Sequence, residues 1–219
     1  MNGFFANYRK AFLAIVVVAL FTISGGYLII QQNNSLTDKQ RQQWAEMNFY
    51  WSNSPRPLSD VSLSNLRGQN KAFSEHRSGW RLVNFGYMFC PDICPLNLAS
   101  LDGLSELWSE DSSRPALNIL HVTIDPARDT PKLLSQYLEY FNPEFYGLTG
   151  SVENIRRLAQ QLNFVFIIEK PDEQGHYFVT HSDSIALINP QGQYVGMFKG
   201  PYNEQNMVKV LDQIVTLFN

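Results

Sequence analysis

Hydrophobic residues form one long N-terminal run and then recur in short blocks along the rest of the chain. Residues 11–30 read AFLAIVVVALFTISGGYLII and contain no charged side chain. At 1.5 Å per helical residue, about 20 residues cross the roughly 30 Å hydrocarbon core of a bilayer. Arg9 and Lys10 precede this run, and the positive-inside rule places residues 1–10 in the cytoplasm. We therefore expect a transmembrane signal anchor at residues 11–30, with the remainder of the chain outside the cytoplasm.

The N-terminal run has two other possible interpretations. A buried core helix is disfavoured, because the segment is apolar on every face and lies at the extreme terminus. A cleaved signal peptide is the stronger alternative, since Ser24-Gly25-Gly26 is small enough for a signal peptidase. The apolar run continues past that point to Ile30, which favours an uncleaved anchor and leaves cleavage open.

The remaining chain divides into a polar tether and a folded domain. Residues 31–57 are mixed and polar, with a short helix expected near residues 38–50, and the domain occupies residues 58–219. Apolar periodicity in the domain predicts alternating strands and helices. The predicted strands are 61–66, 71–73, 81–87, 116–124, 163–168, 184–189 and 194–198, and the predicted helices are 94–110, 130–141, 151–162 and 203–218. This order indicates an α/β fold, specifically a thioredoxin-like domain.

Composition narrows the function classes. The chain has 219 residues and a formal net charge of −3, with no block of basic residues. Nucleic acid is therefore excluded as a partner, because polyanion binding requires a concentrated positive patch. The domain is long enough to bury a substantial hydrophobic core.

Cys90 and Cys94 are the only cysteines and lie in the segment FCPDICP, between a predicted strand and a predicted helix. Unpaired N–H groups and the positive dipole end of a helix start favour thiolates. Two such thiolates can bind a soft metal ion such as Cu(I), or can cycle between dithiol and disulfide. A static disulfide is disfavoured because it would close almost no loop. In an oxidising compartment, either a reductant or a metal must keep the pair from staying oxidised.

A copper site needs a third ligand, and His181 is the best placed of the four histidines. It precedes the predicted strand 184–189, which should lie at the sheet centre, and the loop before that strand should face the cysteine loop. His121 falls within a predicted buried strand and is expected to be a core residue. His76 and His176 are expected to be surface loop residues.

Two carboxylates follow the strand 116–124. Asp125 should lie at the same end of the sheet as Cys90. There its carboxylate could orient the site by a hydrogen bond, or it could only stabilise the turn, and the sequence leaves both roles open. Asp129 is expected to cap the following helix, a common role for aspartate.

These segments together resemble the Sco/SenC family of membrane-anchored copper chaperones over about residues 57–218. The resemblance rests on GYMFCPDICP at residues 86–95, TIDPARDTP at residues 123–131, and His181 before an Asn-Pro-x-Gly hairpin. It implies a thioredoxin-like fold that binds one copper ion through Cys90, Cys94 and His181. It also implies an oxidase partner, the subunit of a cytochrome oxidase that holds a dinuclear copper centre. Where the family usually has Asp before the histidine, this chain has Thr180.

Two functional hypotheses follow. The first is a copper-binding assembly factor in the periplasm or the intermembrane space, loaded with Cu(I), with a role for Cu(II) left open. The second is a membrane-tethered thiol–disulfide oxidoreductase that needs the redox-active pair Cys90 and Cys94 but not His181. Either would need a protein thiol reductant as a partner, and whether the chain has enzymatic activity is left open. A peroxidase is a weaker third hypothesis.

Overall fold

The computed structural model describes residues 36–218, so the predicted anchor at residues 11–30 lies outside the described residues. Between residues 36 and 218, no helix is long and apolar enough to span a bilayer. Nearly all of the described residues belong to one compact unit, Arg41–Asn219.

The predicted helices and strands of the domain are confirmed, with ends that shift by a few residues. The helices are α1 (Asp38–Glu46), α2 (Ile93–Ser109), α3 (Pro131–Phe141), α4 (Val152–Gln161) and α5 (Glu204–Leu217). The strands are β1 (Phe49–Pro57), β2 (Ser62–Asn65), β3 (Asn70–Ala72), β4 (Trp80–Gly86), β5 (Leu117–Thr123), β6 (Tyr146–Thr149), β7 (Phe166–Ile168), β8 (Val179–His181), β9 (Ser184–Ile188) and β10 (Gln193–Lys199). Pro131 is the first residue of α3, where its missing N–H costs nothing.

Eight strands form one mixed sheet in the order β1-β10-β9-β4-β5-β6-β2-β3. The central strands β4, β5 and β6 are parallel, whereas β9 runs antiparallel to β4. All seven residues of β4 are buried, as expected for a strand covered on both faces. The element order and the central position of β4 are those of a thioredoxin-like α/β fold.

The sheet topology determines which loops meet. Strand β4 ends at Gly86. Its antiparallel partner β9 begins at the same end of the sheet, where Asn84 pairs with Ile185. The loop after β4 and the segment before β9 therefore share one end of the sheet. The short hairpin of β7 and β8 lies outside the main sheet and ends at His181.

The expectation of a polar tether up to residue 57 is wrong for residues 49–57. These residues form β1, which pairs antiparallel with β10 at the sheet edge. Phe49 is fully buried, and the fully buried Trp44 of α1 packs edge-on against it at 5.8 Å between ring centroids. The Trp44 indole N–H also donates to Gln213 of α5 at 2.7 Å. Polar residues from Ser52 onward obscure this strand in the sequence, because one face of an edge strand remains in solvent.

Candidate metal centre

Cys90 and Cys94 lie on either side of the start of α2. Cys90 belongs to the loop that leaves β4, where its N–H donates to the Tyr87 carbonyl at 3.2 Å. Cys94 is in the first turn of α2 and is only 1% exposed, packed within the hydrophobic core, whereas Cys90 is partly exposed. Both thiols are free. Cys94 is therefore enclosed by the core, whereas Cys90 is only partly buried at its edge.

His181 reaches the cysteine pair from the opposite side, at the end of β8. Its Nε2 lies 3.5 Å from the Cys94 Sγ, and its Nδ1 lies 2.8 Å from the Ser182 carbonyl oxygen. A carbonyl can only accept, so Nδ1 carries the proton and the Nε2 lone pair faces the sulfur. The ring stacks on Phe164 with centroids 5.7 Å apart and meets the edge of Tyr87 at 6.0 Å. These contacts fix the orientation of the imidazole without any metal.

The structure thus brings together the three residues predicted from the sequence. The two sulfurs and the imidazole nitrogen all lie within 4.8 Å of one another. Two thiolates and one imidazole form a donor set that suits soft or borderline metals, notably copper, in preference to Mg²⁺ or Ca²⁺. The arrangement can hold a single metal ion with only small movements of the side chains.

The expectation that the helix start favours a thiolate at both positions is wrong for Cys94. Burial raises the pKa of the Cys94 thiol well above its ordinary value, and the hydrogen bond with Cys90 adds to this effect. Desolvation outweighs the helix dipole because the sulfur is enclosed by core residues. A metal ion that binds here must displace the proton from a thiol that holds it firmly.

Gly86, the last residue of β4, makes the close packing behind Cys94 possible. A β-carbon at this position would lie 3.1 Å from the Cys94 Sγ and 3.0 Å from the Cε1 atom of His121. Both contacts are tighter than side chains normally allow. The absence of a side chain at Gly86 therefore sets the depth at which the Cys94 sulfur sits.

Asp125 is 1% exposed, and its carboxylate forms no hydrogen bond with Cys90, Cys94 or His181. Its carboxylate pairs with the Arg128 guanidinium and accepts a hydrogen bond from the Tyr177 hydroxyl at 2.8 Å. Of its two expected roles, direct orientation of a ligand has no hydrogen bond to support it among residues 36–218. Asp125 instead ties the turn after β5 to the segment that leads to His181.

Asp129, expected to be a helix cap, is the carboxylate that contacts the cysteine loop. Thr130 caps α3 by accepting from the Leu133 N–H, so the capping role of Asp129 is wrong. Asp129 is completely buried and accepts from the Thr123 hydroxyl at 2.6 Å and from the Met88 N–H at 3.2 Å. Burial raises the pKa of this carboxyl group. It holds the loop two residues before Cys90 against the end of β5.

Arg128 is a site residue that the sequence reasoning did not single out. Its guanidinium lies over the Tyr177 ring at 3.7 Å and over the exposed Phe89 ring at 4.9 Å. Its Nη1 donates to the Tyr177 carbonyl at 3.0 Å. Phe89 adjoins Cys90 and Tyr177 lies four residues before His181, so Arg128 links the two segments that carry the metal-ligand candidates. Nothing in the sequence around DPARD signals this role, because Phe89 and Tyr177 lie about 40 and 50 positions away along the chain.

The other histidines are placed as follows. His121 is fully buried, as predicted, and His176 is exposed, also as predicted. The expectation of a surface loop is wrong for His76, which is 1% exposed and bonds the Leu63 carbonyl oxygen at 3.0 Å and the Tyr146 hydroxyl at 3.2 Å. The residues next to His76 in the sequence are polar and suggest a surface loop. The His76 side chain is nevertheless buried, where its two ring nitrogens pair with the Leu63 carbonyl and the Tyr146 hydroxyl.

Thr180, which replaces the family's usual aspartate, points away from the imidazole. Its hydroxyl donates to Glu169 across the β7–β8 hairpin at 2.6 Å. The carbonyl of Ser182 provides the acceptor for the Nδ1 proton of His181 instead. Orientation of His181 therefore does not require a carboxylate at position 180.

Comparison with known proteins agrees with this geometry. The profile of the family described as SCO1/SenC matches residues 54–216. A protein of Stutzerimonas stutzeri is 34% identical over 161 residues, which cover 73% of this chain and 78% of that protein. Mitochondrial Protein SCO2 of Saccharomyces cerevisiae is 32% identical over 209 residues, 90% of this chain and 65% of that protein. The chain spans about half the length of the mitochondrial SCO2 homologue of Danio rerio.

Solved structures show the same fold with copper present. Yeast Sco1 with copper bound is 29% identical, covers 74% of this chain and 90% of that chain, and superposes with a TM-score of 0.68. Arabidopsis thaliana ScoI with copper bound is 26% identical, covers 71% of this chain and 98% of that chain, and has a TM-score of 0.64. With the family profile covering most of the folded domain and the Cys-Cys-His cluster in place, the chain belongs to the SCO1/SenC family.

Proposed function

We propose that this protein binds one copper ion through Cys90, Cys94 and His181 and supplies it during the assembly of a respiratory cytochrome oxidase. The observation that carries the proposal is the convergence of two sulfurs and an imidazole nitrogen of His181 within 4.8 Å. Copper-bound relatives with the same fold support the choice of metal. The copper ion is cargo here, so the residues must bind it and also release it.

The three proposed ligands suit Cu(I). Two thiolates and a neutral imidazole around Cu(I) leave one net negative charge, and soft sulfur donors favour the reduced ion. The high pKa of Cys94 means that metal loading releases a proton at this sulfur. Reduction of any Cys90–Cys94 disulfide must come first, which is the step where a protein thiol reductant would act.

Release is expected to begin at Cys90. Cys90 is partly exposed and lies in a loop, whereas Cys94 is enclosed by the core and His181 is held by its hydrogen bond to Ser182. A thiolate of the acceptor can reach the metal from the Cys90 side and form a new copper–sulfur bond as the Cys90 bond breaks. The acceptor we propose is the subunit that holds the dinuclear copper centre of the oxidase.

The alternative function, a thiol–disulfide oxidoreductase, is less well supported by the site. The site holds an imidazole, His181, whose Nε2 lies 3.5 Å from the Cys94 sulfur. A dithiol reductase has no need for an imidazole in that position, whereas a copper site needs a third donor. The raised pKa of Cys94 does not separate the two functions, because the buried second cysteine of a redox pair also keeps its proton.

Copper content separates the two functions. We expect the reduced wild-type protein to retain one equivalent of Cu(I) after reconstitution and desalting, and Cys90→Ser, Cys94→Ser and His181→Ala each to lose it. His176→Ala removes an exposed imidazole and serves as the matched control, with copper retained. Wild-type copper affinity in the His181→Ala protein would contradict the proposed ligand set. Undiminished reduction of an oxidised partner by the same variant would support the oxidoreductase.

The proposal extends to location. Residues 11–30 are proposed to anchor the protein in a membrane, with the domain in the periplasm or the intermembrane space. Alkaline carbonate extraction tests the anchor, because an integral protein stays with the membrane fraction. Recovery of the protein in the soluble fraction would instead indicate cleavage of the N-terminal segment.

A further inference from the structure

A groove of about 570 Å³ lies beside the metal centre, between α2 and the loop that precedes α5. Its wall includes Ile93 and Leu96, which flank Cys94 on α2. Its floor includes Asp183, which follows His181 by two residues. The groove therefore begins at residues that adjoin two of the three proposed copper ligands.

Hydrogen bonds make the floor of the groove part of the metal-site framework. The Asp183 carboxylate oxygen Oδ1 accepts from the Asn97 side chain at 2.8 Å and from the Tyr202 hydroxyl at 2.8 Å. Asn97 lies one helical turn after Cys94. A molecule seated on this floor would thus press on the same elements that hold the two ligands.

The groove has an apolar side and an acidic side. Leu96 is 62% exposed, an unusual exposure for a leucine, and Pro201 is also exposed. Asp183 and Glu204 supply two carboxylates, and none of the lining residues in the described part of the chain is basic. Among residues 36–218, neither carboxylate forms a salt bridge. An occupant that buries the leucine and brings positive charge would satisfy both features.

We propose that this groove docks the copper-accepting protein through a segment in which an apolar side chain is flanked by lysine or arginine. The inference rests on the proposed function, because it identifies the surface by which that function selects its acceptor. The apolar side chain would cover Leu96, and the basic residue would face Glu204 and Asp183. Docking at this place leaves the partly exposed Cys90 side of the site free for the acceptor thiolate.

Copper transfer from the Cu(I)-loaded full-length chain, in detergent, tests the groove. The acceptor is the apo copper-binding domain of the oxidase subunit from the same organism, and the second-order rate is measured by stopped flow. Leu96→Glu places a charge on the apolar wall, and we expect the rate to fall at least about tenfold, the loss expected for a docking hot spot. Leu217→Glu, at a leucine that is 47% exposed near the end of α5, is the matched control and should keep the wild-type rate.

Two further measurements distinguish docking from damage to the site. Extraction of Cu(I) by the small chelator bicinchoninate needs no protein docking, so Leu96→Glu should match wild type in that assay. Glu204→Gln should make the transfer rate less sensitive to added salt, because it removes one of the charges that attract a basic segment.

The possible outcomes separate the inference from the proposed function. If the wild-type chain transfers no copper to the acceptor, the proposed function fails. If wild type transfers copper and Leu96→Glu transfers it equally fast, the function stands and the groove is overturned as the docking site. A wild-type dimer that Leu96→Glu dissociates would show a second copy of the chain in the groove, which also overturns the inference.

Discussion

His121 should make the stability of this protein fall as the pH decreases below neutrality. The side chain is fully buried in β5, with Nδ1 3.1 Å from the Asn84 amide nitrogen. Its Nε2 has no hydrogen-bond partner among residues 36–218. Burial lowers the pKa of His121 from 6.5 to about 4, because the core cannot solvate an imidazolium.

The sign and size of the effect follow from this shift. Between about pH 4 and pH 6.5 the unfolded chain binds a proton at His121 that the folded chain does not, so acid favours unfolding. The contribution is fully present above pH 6.5 and is lost as the pH falls toward 4. One pKa unit corresponds to about 1.4 kcal/mol, which gives about 3 kcal/mol in total and about 2 kcal/mol between pH 7 and pH 5.

Denaturant unfolding of the reduced apo protein at pH 7 and pH 5 measures this loss. His121→Asn removes the titrating ring and keeps a hydrogen-bonding group near Asn84, so its free energy of unfolding should fall by about 2 kcal/mol less than that of wild type over this range. The comparison uses the change with pH, because the substitution also leaves a cavity that lowers stability at every pH. His176→Gln, at a side chain that is 82% exposed, should follow wild type. Equal losses in wild type and His121→Asn would refute the assignment of a buried neutral imidazole.

Three other substitutions probe the framework of the metal centre. Gly86→Ala should lower the free energy of unfolding by about 1–3 kcal/mol through overpacking, because the new methyl group pushes on the Cys94 sulfur. The same contact should weaken Cu(I) binding, and unchanged copper affinity in a chelator competition would contradict this. Asp129→Ala leaves two donors unpaired, the buried Thr123 hydroxyl and the partly buried Met88 N–H, and should lower the free energy of unfolding by about 1–3 kcal/mol. Asp129→Asn should recover part of the loss, and equal stability of the two variants would argue against the hydrogen bonds. Tyr177→Phe removes one hydrogen bond to the Asp125 carboxylate and should lower the free energy of unfolding by about 1.5–3 kcal/mol in denaturant unfolding. An unfolding midpoint equal to that of wild type would show that this bond contributes little.

Edge strands and very short strands show where sequence patterns were insufficient. The buried strands β4 and β5 could be predicted because they are mostly apolar runs between turn residues. Strand β1 could not, since it includes several polar residues with no regular alternation of burial, and its pairing partner β10 is about 140 residues away. Strand β6 has only four residues, too few for a periodic signal.

Asp125 and Asp129 illustrate the same limit within the site. Both follow β5 in one short motif, and their side-chain chemistry is identical. Their backbone directions send one to Arg128 and Tyr177 and the other to the cysteine loop. The role of each aspartate depends on its contacts with residues up to about 50 positions away. Such contacts cannot be predicted from the spacing of residues along the chain.

The sequence by itself indicated Cys90, Cys94 and His181 as candidate donors, the α/β order and the apolar segment at residues 11–30, because side-chain chemistry and local periodicity can be read from the residues. Only the tertiary structure decided where these candidate donors lie. The antiparallel pairing of β9 with β4 brings His181 to Cys94, and the core that encloses Cys94 raises its pKa against the helix dipole. Desolvation and long-range packing depend on which segments lie together in space, and that is set by the fold as a whole.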